Sequence, residues 1–279
     1  GVAKHIHCQP SEIVFTSGGT EADNMAMFTS VTELGVKRIV TSRIEHHAVG
    51  HTASHIQDKY EVELVYVDID RAGNVDLHHL SNILEDTSKK TLVTLMHANN
   101  ELGTILPIME VSKLCRKYGA YFHSDTVQTI AHFPFNMQEL NIDFIAASAH
   151  KFHGPKGVGF IYISEDMNIN PLIRGGEQER KMRAGTENIH SIAGLSMAME
   201  MAYENLEEET NYIKGLKKYT MEKLKSEIKD VQFYGKCTDL DDSLYTVLSC
   251  NFPESANSEM LMFNLDIKGV ACSLSLIHI

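Results

Sequence analysis

Short runs of β-branched and aromatic residues recur along the chain, separated by stretches whose apolar positions fall three and four apart. The runs cover residues 13–17, 38–42, 63–69, 91–98, 121–124, 144–148 and 159–164, and their length and composition predict strands. Residues 107–118 carry the clearest helical pattern. There Ile108, Val111, Leu114, Cys115 and Tyr118 form one apolar stripe, Pro107 suits a first-turn position, and Gly119 supplies a left-handed stop. Strand and helix alternating on this scale predict an α/β fold with a mainly parallel central sheet flanked by helices on both faces.

After residue 164 the texture changes. Residues 191–206 read as a helix, followed by an acidic run at 207–209 and a Lys-rich amphipathic helix to about Lys229. Strand-like segments at 231–234 and 244–252 and a helical pattern at 258–265 complete an α+β unit. A boundary near Leu206 divides the chain into a large unit, 1–205, and a smaller one, 206–279. The acidic run reads as a solvated helix face.

Composition narrows the function classes. The 279 residues carry 37 acidic and 25 basic side chains, a formal net charge of -12, with 43% hydrophobic and 22% charged residues. These are globular proportions. The acidic excess argues against nucleic acid or an anionic membrane as partner, since both reward a basic face. No apolar run approaches the roughly 18 residues of a membrane span. Five cysteines, odd in number and without a C-x-x-C pair, suggest neither a disulfide framework nor a cysteine zinc site. A reducing, cytoplasmic setting fits them best.

Ligands of open parallel sheets bind outside the carboxyl ends of the strands, and the chemistry of this chain collects there. Gly18-Gly19-Thr20 follows the first strand, Glu45-His46-His47 the second, and Asn99-Asn100 the run at 91–98. Asp125-Thr126-Val127-Gln128 follows the run at 121–124, and Ala149-His150-Lys151 the run at 144–148. The first of these enters a helical pattern directly, so free backbone N–H groups and the helix dipole offer an anion site suited to phosphate. A capping box, Thr20-x-x-Asp23, is the alternative reading, and the spacing is not that of a nucleotide P-loop. Lys151 beside His150 is a candidate Schiff-base amine, because desolvation and neighbouring cations favour the neutral nucleophile. Asp125 reads either as a helix N-cap or as a buried acid. An anion cup, an amine and an acid around one ligand are what pyridoxal 5'-phosphate requires.

The segments TSGGTEADN, EHHAV, HANNELGT, SDTVQ, SAHKFHGPKGVG and RAGTEN resemble, in the same order, those of cysteine desulfurases and selenocysteine lyases, in the class V aminotransferase-like branch of pyridoxal-phosphate enzymes. The resemblance extends from about Ser11 to Asn188 and implies the fold type I architecture of those transferases with a small C-terminal α+β domain. It implies Lys151 as the Schiff-base lysine and His46 as the residue stacked on the cofactor and active in proton transfer. Asp125 pairs with the ring nitrogen, Gln128 and Asn100 with the phenolic oxygen, and Asn100 also with substrate. Gly19, Thr20, Ser148 and His150 surround the phosphate, and Thr186 reaches the phosphate of the opposite subunit of a homodimer. The implied reaction takes sulfur from L-cysteine, leaving L-alanine and an enzyme persulfide. A sulfur-acceptor protein, an iron–sulfur scaffold or a tRNA-thiolation carrier, receives the sulfur.

The chain departs from this pattern near its end. Residues 266–273 resemble the approach to the loop that carries the attacking cysteine, yet an ungapped count places His278 where that cysteine belongs. The arginine that binds the substrate carboxylate and the family's opening strand also lack counterparts. The chain therefore reads as an interior segment of the family enzyme, with a truncated small domain and little or no sulfide release. Cys272 reads as an inert core residue and the other four cysteines as structural parts of strands and helices. Three rival readings remain: selenocysteine lyase, a non-catalytic pyridoxal-phosphate module, and a metal site built on His46, His47, His51 and His55. The last lacks the glutamate of an H-E-x-x-H zinc motif.

Overall fold

The computed structural model describes residues 1–254 and 258–274. Strands β1 (Ile13–Thr16), β2 (Arg38–Thr41), β3 (Glu63–Tyr66), β4 (Thr91–Thr94), β5 (Tyr121–Asp125), β6 (Phe144–Ser148) and β7 (Gly159–Ile163) form one sheet in the order β1-β7-β6-β5-β4-β2-β3. Each arises from one predicted run, most of them trimmed at the C-terminal end. The run at 91–98 loses the most, although Leu95 N and His97 N still donate to His123 O and Asp125 O of β5 at 3.2 and 2.9 Å. Every pair from β6 to β3 is parallel, while β7 runs antiparallel to both β1 and β6. The sheet is thus mainly parallel, as predicted. β1 still points the same way as β6, so its carboxyl end joins theirs at one edge.

Adjacent residues of each strand enter opposite layers, which is why the runs lack polar alternation. Val40, Val93, Phe122, Ile145 and Phe160 pack with one set of helices: α4 (Leu77–Glu85) through Leu80, α5 (Ile108–Tyr118) through Val111 and Cys115, and α7 (Ile189–Glu204) through Leu195 and Met199. The short α1 (Val2–His5) and α6 (Met137–Leu140) close the margin of this layer. Ile39, Leu92, Phe144 and Ile161 face the other way, against α2 (Gly19–Thr32) and α3 (His47–Tyr60). The predicted helix at 107–118 begins one residue later, with Pro107 as its N-cap, and Gly119 ends it in the left-handed region at φ 69.

The chain continues through α8 (Leu206–Glu227), the ribbon of β8 (Gln232–Phe233) and β9 (Cys250–Asn251), and α9 (Leu261–Ile267). The acidic run at 207–209 is the exposed first turn of α8. The predicted strand at 244–252 survives only as β9. Residues 244–249 are apolar for another reason: Leu244 and Tyr245 are buried against the large sheet's loops, with Leu244 N–H donating to Gly103 O at 2.7 Å. Buried Lys217 of α8 fixes the same segment, donating to Ser243 Oγ and Leu244 O at 3.0 Å each. Among the described residues, no helix is long and apolar enough to cross a membrane.

Candidate active site

Nine of the ten residues singled out in the sequence meet in one cleft of about 560 Å³ at the carboxyl edge of the sheet: Gly19, Thr20, His46, Asn100, Asp125, Gln128, Ser148, His150 and Lys151. The volume suits a small-molecule ligand. Thr186 is the exception; it lies exposed on the 174–188 loop and does not line this cleft.

One wall is the start of α2. Gly18 is the N-cap and no side chain caps the helix, so its first N–H groups and the positive end of its dipole are left for a ligand. This removes the capping-box alternative, since Thr20 lies inside the first turn. Gly19 is required by space: a Cβ there would fall 2.5 Å from Val127 Cγ2 and 3.7 Å from Ser148 Cβ. Ser148, at the end of β6, closes the cup from below.

Asp125 forms the floor. It ends β5, is buried, and accepts a hydrogen bond from Val127 N at 2.9 Å. Burial, with the nearby Asp23 charge adding, raises its carboxyl to about 7. The fit with pyridoxal phosphate rests on these features: an uncapped helix start for the phosphate, and a buried acid that gains by facing a cation, as a protonated ring nitrogen would be.

His46 is the N-cap of α3, and its Nδ1 accepts from Ala48 N at 3.1 Å. The neutral ring therefore carries its proton on Nε2, the nitrogen left for the cleft. The preceding Glu45 anchors this turn, accepting from Ser42 Oγ at 2.7 Å and Met96 N at 2.9 Å. Burial raises the Glu45 carboxyl to about 8. Asn99 secures the opposite turn, donating to Ile44 O and accepting from Glu101 and Leu102 N–H, and so presents Asn100.

Lys151 follows β6 in a short 3-10 turn and is exposed at the cleft, so the desolvation expected from the sequence is not found. What the turn supplies is position and a neighbouring cation, Lys156, with His150 beside it on the cleft wall, a ring whose protonation burial and the two lysines disfavour. His132 fixes this turn from outside the cleft. Its Nε2 donates to Lys151 O at 3.0 Å, which leaves Nδ1 to accept from Tyr245 OH at 2.9 Å.

Sequence reasoning missed His132, Glu45 and a buried pair beneath Asp125, His123 with Asp23. His123 shares a strand face with Asp125 at i, i+2, and that spacing was the one available signal. Among the described residues no three metal-ligating side chains converge. His47 and His51 instead stack on the exposed side of α3 with centroids 4.7 Å apart. The cysteines differ from expectation in two respects. Cys272 is exposed rather than buried, and Cys8 and Cys237 lie outside helices and strands. His278 lies outside the described residues.

The family profile described as "Aminotransferase class-V" matches residues 1–274. The chain is 41% identical over 274 residues to the cysteine desulfurase IscS of Dictyoglomus turgidum, covering 98% of this chain and 68% of that protein. It is 40% identical over 276 residues to the putative cysteine desulfurase IscS 1 of Bacillus subtilis, covering 98% and 70%. Among solved structures, a NifS-like protein superposes with a TM-score of 0.89 at 38% identity, over 96% of this chain and 72% of that one. The apo cysteine desulfurase of Thermococcus onnurineus superposes with a TM-score of 0.83 at 27% identity, over 96% and 70%.

Proposed function

The chain belongs to the class-V aminotransferase family, and on that premise we propose that its cleft is the active site of a pyridoxal-phosphate-dependent cysteine desulfurase. The enzyme takes sulfur from L-cysteine, leaves L-alanine and carries the sulfur as a persulfide. The observation that carries this reading is the convergence of Lys151, Asp125 and the uncapped start of α2 in one cleft. When bound, pyridoxal phosphate supplies an electrophilic aldehyde carbon and a protonated ring that draws an electron pair from the substrate α-carbon.

The chain's own residues do the rest. The N–H groups at Gly19 and Thr20, with Ser148 and His150, hold the phosphate. Asp125 would accept a hydrogen bond from the protonated ring nitrogen, and Gln128 and Asn100 would donate to the phenolic oxygen, Asn100 also orienting substrate. Lys151 Nζ would hold the cofactor through its aldehyde carbon, the carbonyl oxygen leaving as water, and as a free amine beside the substrate it would take the α-proton. His46 covers the ring face with a proton on Nε2.

Thr186 is exposed and does not line this chain's own cleft, which supports a homodimer in which it serves the second copy. Ile189, Met197 and Met201 on α7, 65%, 57% and 55% exposed, are apolar surface for such an interface. A sulfur-acceptor protein, an iron–sulfur scaffold or a tRNA-thiolation carrier, completes the reading, in the cytoplasm, with the chain divided near residue 205 into a cofactor unit and a smaller one.

The test is spectroscopic. Added pyridoxal phosphate should give a visible band that borohydride abolishes and that L-cysteine perturbs. A Lys151→Ala protein showing the same band would overturn the assignment. Sulfide release in the same samples is expected to be absent or very weak, because histidine stands at position 278. Robust release that a Cys272→Ala change abolishes would instead make Cys272 the sulfur carrier.

A further inference from the structure

Three buried side-chain polar atoms among the described residues have no hydrogen-bond partner: Asp23 Oδ1, Thr41 Oγ1 and His123 Nε2. They belong to one place. Val40 lies opposite Val93 and Thr94 opposite His123 in the parallel ladders. Thr41, Thr94 and His123 therefore follow one another across three adjacent strands, on the face that α2 and α3 cover. The level beneath is apolar, with Ile39 and Leu92. The level above is the cleft floor, with Met96 and Asp125. Asp23 descends from α2 onto this polar row and also lines the cleft.

Within the row, His123 Nδ1 lies 2.8 Å from Thr94 Oγ1 and His123 Nε2 lies 3.4 Å from Asp23 Oδ1. Asp23 is 1% and His123 0% exposed. A lone carboxylate at such a place is strongly disfavoured, and removing only its partner is more damaging than removing both. Asp125 and Glu45 add two further carboxyls within electrostatic reach, and His46 is the remaining titratable ring acting on Asp125. Burial raises Asp23 well above the ordinary carboxylate range and lowers His123 to about 4. These directions favour a neutral acid facing a neutral ring over an ion pair.

We propose that Asp23 and His123 are a positioning pair for the cofactor's ring nitrogen, sharing one proton between Asp23 Oδ1 and His123 Nε2. His123 Nδ1 keeps its own proton, donated to Thr94 Oγ1. The pair is then net neutral, and Asp125 is the anion that faces the ring. The inference rests on the cofactor reading above for its purpose, but the pair itself exists without cofactor.

Two measurements test it. In the protein without added cofactor, 15N-histidine spectra should show the His123 ring nitrogens displaced by Asp23→Asn. With pyridoxal phosphate bound, His123→Gln removes the base that shares Asp23's proton and should shift the pH midpoint of the visible band by about one unit, a tenfold change in the proton equilibrium. The double variant Asp23→Asn, His123→Gln should return it to within about 0.3 unit of the parent. Ring nitrogens that Asp23→Asn leaves unmoved would overturn the pair. So would a midpoint shared by His123→Gln and the double variant, which marks two independent packing defects. Should the parent chain take up no pyridoxal phosphate, the cofactor reading falls, and the histidine spectra still decide the pair. The same spectra decide it if His123→Gln does not fold.

Discussion

Arg183 grips Glu21 with both sides of its guanidinium, Nε to Oε1 at 2.8 Å and Nη2 to Oε2 at 3.2 Å. The pair ties the loop that carries Thr186 to the first turn of α2. Burial pushes the Glu21 carboxyl up, but the donors Arg183 and Ser17 outweigh it and hold it below its ordinary range. Glu21 is therefore an anion beside the phosphate cup, and Arg183 cancels it. Arg183→Gln should weaken pyridoxal phosphate binding about tenfold, on the order of 1.4 kcal/mol. Most of the loss should return in the Arg183→Gln, Glu21→Gln double variant. Fluorescence titration of cofactor binding checks both; a double variant as weak as the single would refute the charge argument.

Gly19 and Gly50 give opposite expectations for the same substitution. At Gly19 an added Cβ meets Val127 Cγ2 at 2.5 Å, and the β-branched Val127 has few rotamers to move into. Gly19→Ala should cost about 1–3 kcal/mol and displace the cup's N–H groups. At Gly50, inside α3, an added Cβ meets nothing within 4 Å. Gly50→Ala should stabilise by about 0.5–1 kcal/mol through backbone entropy. Denaturant midpoints of the cofactor-free proteins distinguish the two.

What was legible in the sequence follows from what local pattern can encode. Residues 144–148 and 159–163 read as strands because continuous apolar runs bounded by turn signals have few other uses, and the residues after them fell at one edge because parallel strands share a direction. Asp23 was not legible. Three places after Thr20 it looks like half of a capping box, and its true neighbour, His123, is 100 positions away on a strand that α2 happens to cover. The segment at 244–249 was misread for the same reason: Leu244 and Tyr245 are apolar because they dock on the loops around Gly103 and His132. Lys151 was placed correctly but given the wrong environment, since exposure depends on how the 3-10 turn leaves β6.

His132 joins Lys151 O to Tyr245 OH, and so couples the lysine turn to the segment after α8. His132→Phe fills much of the volume but removes both bonds and leaves the buried Tyr245 hydroxyl without this acceptor. A loss of about 1–3 kcal/mol is expected. Tyr245→Phe should cost about 1 kcal/mol. Adding Tyr245→Phe to His132→Phe should cost almost nothing, because the hydroxyl that lost its acceptor is gone. Urea midpoints of the three variants check this; additive losses would show that the residues act separately.

The buried acids and histidines make stability depend on pH in a stated way. His97 and His123 are both lowered to about 4 by burial. Their stabilisation is complete above the unfolded value of 6.5 and is lost as pH falls toward 4, because the unfolded chain binds those protons first. Glu45 and Asp125 are raised to about 8 and about 7, again chiefly by burial. Their contribution is complete below the unfolded values of 4.5 and 3.8 and is lost as pH rises through the folded ones. Between pH 4.5 and 6.5 these two sets oppose each other, and their contributions nearly cancel. Above 6.5 the histidines no longer titrate, and stability should fall toward pH 8 by about 1.4 kcal/mol per unit for each carboxyl still protonated. Of these two, Glu45 remains protonated longer. Glu45→Gln should therefore flatten the decline between pH 7 and 8 while steepening the acid loss below 6, because only Asp125 of this pair then opposes the two histidines. Denaturant titrations of the cofactor-free proteins at half-unit intervals measure both limbs, and an unchanged decline in the Glu45→Gln protein would assign it to another group.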